Sequence, residues 1–176
     1  MTIDVSRSLP EFSRIVSLDQ IDSSNPVIEI AANSDECIAL ARRFDLLQLD
    51  AFEATVTLEV SSPTTIVVSA SYLAHVSQAC VVTLEPVSAC ITERFERRFV
   101  RAPVSGLAEV TVDPMADDPP EPWDGGAIDI GEMVAEQMGL AIDPYPRAPG
   151  AVFRNTPEQD YDARAPFSAL VALKES

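Results

Sequence analysis

From Phe52 to Val60 the chain alternates without a break: Phe52, Ala54, Val56, Leu58 and Val60 are apolar, while Glu53, Thr55, Thr57 and Glu59 are polar. Successive strand residues point to opposite faces, so this pattern dictates a strand with one buried face and one wet face. Ser61-Ser62-Pro63 supplies a turn, and two more β-rich runs follow, Thr65–Leu73 and Val76–Leu84. A fourth strand is predicted over about 88–100, with Ile91, Phe95 and Phe99 on one face and Thr92, Arg94, Glu96 and Arg98 on the other. The connections are too short for crossover helices, so these strands form an antiparallel meander.

Two helices are predicted around it. Asn33 stands three residues before Glu36, the spacing of a capping box, and Cys37, Leu40, Ala41 and Phe44 recur at helical intervals behind it. This predicts an amphipathic helix over 34–47. Asp129 has the same relation to Glu132, with Ile130, Met133, Val134 and Met138 as the apolar face and Gly139 as its end. Val27–Ala31 reads as a short strand. The expected fold class is α+β: a curved antiparallel β-sheet (meander) with two main helices packed on one face.

The 176 residues suit one domain, expected over 1–150, within which 113–126 is an acidic, proline-rich mobile loop. Residues 151–176 read as an extended tail with a short terminal helix. No stretch approaches the roughly 20 apolar residues of a membrane span. The first residues lack the basic start and apolar run of a secretory signal, and three cysteines are an odd count. These features predict reduced thiols and a cytoplasmic location.

Charge constrains function more sharply. Twelve bases face 28 acids, for a net charge of −16. A field of that sign repels phosphate and favours basic partners. Four of the twelve bases, Arg94, Arg97, Arg98 and Arg101, lie together in the fourth strand beside Phe95 and Phe99. Arg94 and Arg98 share a face about 13 Å apart at the usual strand rise. Guanidinium groups beside aromatic rings suit RNA backbone contact and base stacking. The same alternation of Arg94, Glu96 and Arg98 also suits a solvated strand face paired across the sheet. Arg147, and Arg42-Arg43 on the first helix, are candidates to extend an RNA surface. Trp123 reads either as an anchor for a basic partner or as a cap on the core.

No catalytic constellation is present. His75, the one histidine, is expected at a turn, and no nucleophile, metal-binding helix or phosphate loop accompanies it. The chain is therefore expected to be no enzyme and to carry no cofactor.

Ala79-Cys80-Val81-Val82-Thr83-Leu84-Glu85-Pro86-Val87 is similar to the C-x-R-C-L-E-P-V segment of the YceD family, the large ribosomal RNA subunit accumulation proteins. Glu11-Phe12-Ser13-Arg14, Leu140–Gly150 and Pro166-Phe167-Ser168-Ala169-Leu170 resemble that family in the same order. The resemblance implies a non-enzymatic factor supporting 23S rRNA accumulation or processing, whose partner is 23S rRNA or its precursor. The alternative is an acidic module that chaperones a basic ribosomal protein during large-subunit assembly. Many relatives carry paired cysteines that look like a small zinc site. Here Val82 stands for the family's arginine and Thr83 for its second cysteine, so no metal is expected. Cys80 is then read as a small buried hydrophobe alternating with Val82 on a strand, and Cys80, Leu84, Glu85 and Pro86 as a structural signature.

Overall fold

Three long antiparallel strands carry the molecule: β3 (Gln48–Ser62), β4 (Thr65–Ala79) and β5 (Pro86–Arg101). The structure is a computed structural model describing residues 10–17, 26–101, 120–123 and 126–153. Before β3 come β1 (Ile15–Ser17), β2 (Val27–Ala31) and α1 (Ser34–Arg43); after β5 come β6 (Glu121–Trp123), β7 (Ala127–Asp129) and α2 (Ile130–Ala141). The main sheet has the order β2-β3-β4-β5-β6, and β1 pairs with β7 in a separate ribbon. All pairs are antiparallel except β5 with β6. The α+β expectation holds, with a meander from β2 to β5 and a parallel edge strand added.

Period two decides which face is buried. Phe52, Ala54, Val56 and Leu58 of β3 share the inner face with Ile66, Val68, Ala70, Tyr72, Ala74 and Val76 of β4, and all are buried. Leu40 of α1 and Ile130, Val134 and Met138 of α2 are fully enclosed in the same core. A line of rings, Phe12, Phe52, Tyr72 and Phe95, crosses it at centroid spacings of 5.2, 6.0 and 6.3 Å.

Several boundaries differ from the sequence reading. Thr65–Leu73 and Val76–Leu84 are not two strands: β4 runs unbroken through Leu73-Ala74-His75, and His75 lies opposite Cys90 rather than at a turn. None of those three residues is a turn former, so the ladder to β5 passes straight through. The turn falls instead at 80–84, where the Cys80 N–H donates to Glu85 O, the Leu84 N–H donates to Cys80 O, and Leu84 adopts φ 63°. Cys80 and Val82 therefore do not alternate on a strand.

α1 stops at Arg43 rather than 47, because Asp45 turns left-handed at φ 53°. Its capping box forms as read, Asn33 accepting from the Glu36 N–H and Glu36 accepting from the Asn33 N–H. α2 continues past Gly139 to Ala141. Glycine is needed there for space, since a Cβ would lie 2.5 Å from the Phe44 ring. Within the stretch read as a mobile loop, Glu121–Trp123 form β6; 113–119 lie outside the described residues, as does the terminal helix expected near 166–174. Among the described residues no helix is long and apolar enough to cross a membrane.

Candidate nucleic-acid interface

β5 divides its arginines between two environments. Arg97 lies on the inner side of the strand, opposite Val68, where its Nη1 sits 3.1 Å from Glu136 of α2 and 3.5 Å from Glu121 of β6. Its guanidinium also lies 5.9 Å from the centre of the Phe95 ring. Arg97 is thus committed inside the fold. Arg94 and Arg98 point the other way, from the outer face, which neither helix covers. Among the described residues Arg94 has no ion pair or hydrogen-bonding partner, and Arg98 has only a 3.9 Å contact with Glu96 between half-exposed side chains. Such an exposed contact contributes little.

Arg101 closes β5, exposed, with its N–H donated to Thr64 O. Arg147 is exposed in the loop after α2, which touches the turn before Pro86 at the opposite end of β5. The fold therefore keeps Arg94 and Arg98 together, turns Arg97 inward and parts Arg101 from Arg147 by the length of the strand.

The outer face around Arg94 is a carpet of hydroxyls. Thr55 pairs with Ser71, Ser71 with Arg94, Thr57 with Ser69 and Ser69 with Glu96. A shallow trough of about 470 Å³ runs over it, lined by Thr55, Ser71, Thr92 and Arg94, with Glu29 and Glu53 on the β2–β3 side. Carboxylates line the β2–β3 margin, Arg94 and Arg98 with Glu96 between them line the β5 margin, and hydroxyls lie between. Hydroxyls and arginines hydrogen-bond phosphate and ribose oxygens without demanding a base sequence.

At the signature turn, Cys80 is fully buried, and its Sγ accepts N–H bonds from Val82 at 3.4 Å, Thr83 at 3.4 Å and Ala148 at 3.3 Å. These donors, Ala148 foremost, lower the thiol pKa to about 6. The Val81 N–H donates to Pro146 O and Gln78 Nε2 to Asp143 O, so the turn and the proline-rich loop are stitched together. A tetrahedral metal does not fit here. Thr83, in the second cysteine's place, turns its hydroxyl to Glu85, and no group of three metal-ligating side chains assembles among the described residues. Leu84 is exposed, Glu85 O holds the turn, and the Cys80 thiol gathers the N–H groups of this corner.

Two networks were invisible in the sequence because their partners are distant in the chain. Arg14 donates Nη1 and Nη2 to the two Glu36 carboxylate oxygens at 2.7 and 2.9 Å, which holds the Glu36 pKa below the usual carboxylate range. Arg43, a candidate to extend an RNA surface, is instead bidentate to Glu132 at 2.7 and 2.8 Å and reaches Glu11 at 3.1 Å. Asp129 caps α2 and also accepts from Ser13 Oγ and the Arg14 N–H, which fixes the Glu11–Arg14 segment to that helix. Trp123 packs against the core, its indole N–H buried without a hydrogen-bonding partner among the described residues.

The family model described as "Large ribosomal RNA subunit accumulation protein YceD" matches residues 68–174, more than half of the chain. The match spans most of β4, the Cys80 turn, β5 and α2. No curated protein and no solved structure matches the chain.

Proposed function

We infer function from one premise: the chain belongs to the YceD family of large ribosomal RNA subunit accumulation proteins. The family role is large-subunit rRNA accumulation, and the chain serves it by holding 23S rRNA or its precursor against the outer face of the sheet. Arg94 and Arg98 make the phosphate contacts, and the hydroxyls of Ser71 and Thr92 beside them meet ribose and phosphate oxygens. The observation that carries this reading is the outer face, which among the described residues neither helix covers, with Arg94 unpaired there and Arg98 only in a 3.9 Å contact with Glu96. Arg97, held by Glu121 and Glu136, is not part of the contact. Contacts this few give modest, salt-sensitive affinity, since each phosphate neutralised on a single strand adds about 0.7 to the salt slope. The role needs no chemistry, and the factor works in the cytoplasm without a cofactor.

The test is charge reversal. Arg94→Glu with Arg98→Glu is expected to abolish binding to a 23S rRNA fragment and to lower 23S rRNA levels in cells, while Arg97→Ala leaves RNA binding intact. Unchanged RNA binding in the double variant would remove this assignment.

One observation favours a second reading. Arg14, Arg43 and Arg97 are neutralised by carboxylates within the fold, and the acids still exceed the bases by sixteen. The chain then shields a basic ribosomal protein during large-subunit assembly. It predicts salt-sensitive association with such a protein in the absence of RNA.

A further inference from the structure

Among the described residues, the edge of β5 below Phe99 pairs with no other strand. Arg101 turns its N–H toward Thr64 of the neighbouring β4 side, and the β4–β5 register runs unbroken from Thr65 with Val100 to Ala79 with Pro86. Peptide groups alternate in direction along an antiparallel strand, so the odd-numbered residues of β5 bond to β4 and the even-numbered ones face outward. β6 covers only Phe99–Arg101. The outward N–H and C=O groups of Ser88, Cys90, Thr92, Arg94 and Glu96 therefore face no strand among the described residues. Edges are usually blunted by proline, a bulge or charged side chains. Neither proline nor a bulge interrupts Ser88–Glu96, and two of its three charges, Glu93 and Glu96, are acidic and so turn away acidic rather than basic strands.

The side chains along this edge define what would fit. On the inner side Ile91 and Phe95 are only partly buried, with exposed Glu93 between them. Glu136 of α2 stands over Arg97 next to this strip, and Glu121 of β6 marks its upper end. The edge thus offers a row of backbone donors and acceptors, apolar steps at every fourth residue, and carboxylates among them.

We propose that the open edge of β5 between Ser88 and Glu96 takes up an extended, lysine- or arginine-rich segment of another protein as an added strand. Backbone bonds supply the affinity, and alternate side chains meet the exposed Glu93 carboxylate, which also accepts from the Tyr72 hydroxyl. The −16 net charge selects basic segments and speeds their encounter. This inference gives the partner-protein reading a place and a mode, and it rests on that reading; the added strand uses the backbone of Thr92 and Arg94, whose side chains belong to the outer face.

The experiment uses the full chain and a fluorescent peptide of alternating lysine and valine, as long as the open stretch, at low salt. Its control is the same peptide N-methylated throughout, with equal charge but no backbone donors. The protein variant is Thr92→Pro, which deletes an outward N–H and leaves the bonds to β4 in place. N-methylation and Thr92→Pro are each expected to weaken binding at least about tenfold, close to 1.4 kcal/mol. If Thr92→Pro does not fold, the peptide pair decides alone. Equal binding of both peptides would overturn the edge and leave a charge-driven partner reading standing. No binding by either peptide would remove both. A concentration-dependent dimer of the free chain, lost in Thr92→Pro, would assign the edge to a second copy and overturn the basic occupant.

Discussion

Arg97 and Arg98 are neighbours in sequence, yet one belongs to the inner face of the sheet and the other to the outer. On the inner side Arg97 is held by Glu121, Glu136 and the Phe95 ring, next to a core closed by both helices. On the outer side Arg98 and Arg94 stand among serine and threonine hydroxyls and Glu96, and neither helix lies over them. The pleat alone makes this division, because a strand has two faces and the helices cover one. A cluster of basic residues in sequence is therefore not a basic patch in space. On an acidic protein, what matters is which cations have no carboxylate of their own.

The contrast can be broken in steps. Phe52→Ala on the inner face is expected to cost about 3–5 kcal/mol in denaturant unfolding, whereas Thr55→Ala on the outer face stays within about 0.5 kcal/mol. Similar losses at both positions would mean the outer face is covered. Gly139→Ala pushes a methyl group into Phe44 and should cost roughly 1–3 kcal/mol. In a Phe44→Leu background that cost should shrink; a double-mutant cycle reads the coupling. Arg97→Ala should lose about 1 kcal/mol, and Arg94→Ala less than about 0.5 kcal/mol.

A further prediction concerns pH. Cys80 releases its proton near pH 6 in the folded chain, below the ordinary thiol value. The unfolded chain binds more protons in that window, so stability rises with pH between the two values. The contribution is complete above the ordinary thiol value and is lost as pH falls through about 6. Cys80→Ala should flatten this slope, and thiolate absorbance should titrate with a midpoint near 6 in the native protein. An unchanged slope would show that the N–H cluster does not hold a thiolate.

Local signals were the legible ones. The Phe52–Leu58 alternation and the Asn33–Glu36 cap each express one element's own geometry and appear as read, whereas Val60, beside the bulge at the end of β3, is exposed. The shared face of Arg94 and Arg98 also follows from period two. What the sequence hid depended on distant partners. The Cys80 turn is set by the 146–148 loop, Gly139 sits in α2 because Phe44 fills the space beside it, and Arg43 is claimed by Glu132 far along the chain. Period two already put Arg97 on the opposite face from Arg94 and Arg98; what the sequence hid was its pairing with Glu136 of α2 and Glu121 of β6.

The measurement that bears most directly on the outer face is ultraviolet crosslinking in growing cells, comparing the native chain with the Arg94→Glu, Arg98→Glu double variant. The native chain should give discrete peaks in precursor or mature 23S rRNA, and the double variant, equally folded, should give none. Identical peaks from both, or background-level RNA from a native chain that sustains normal 23S levels, would contradict RNA recognition by this face.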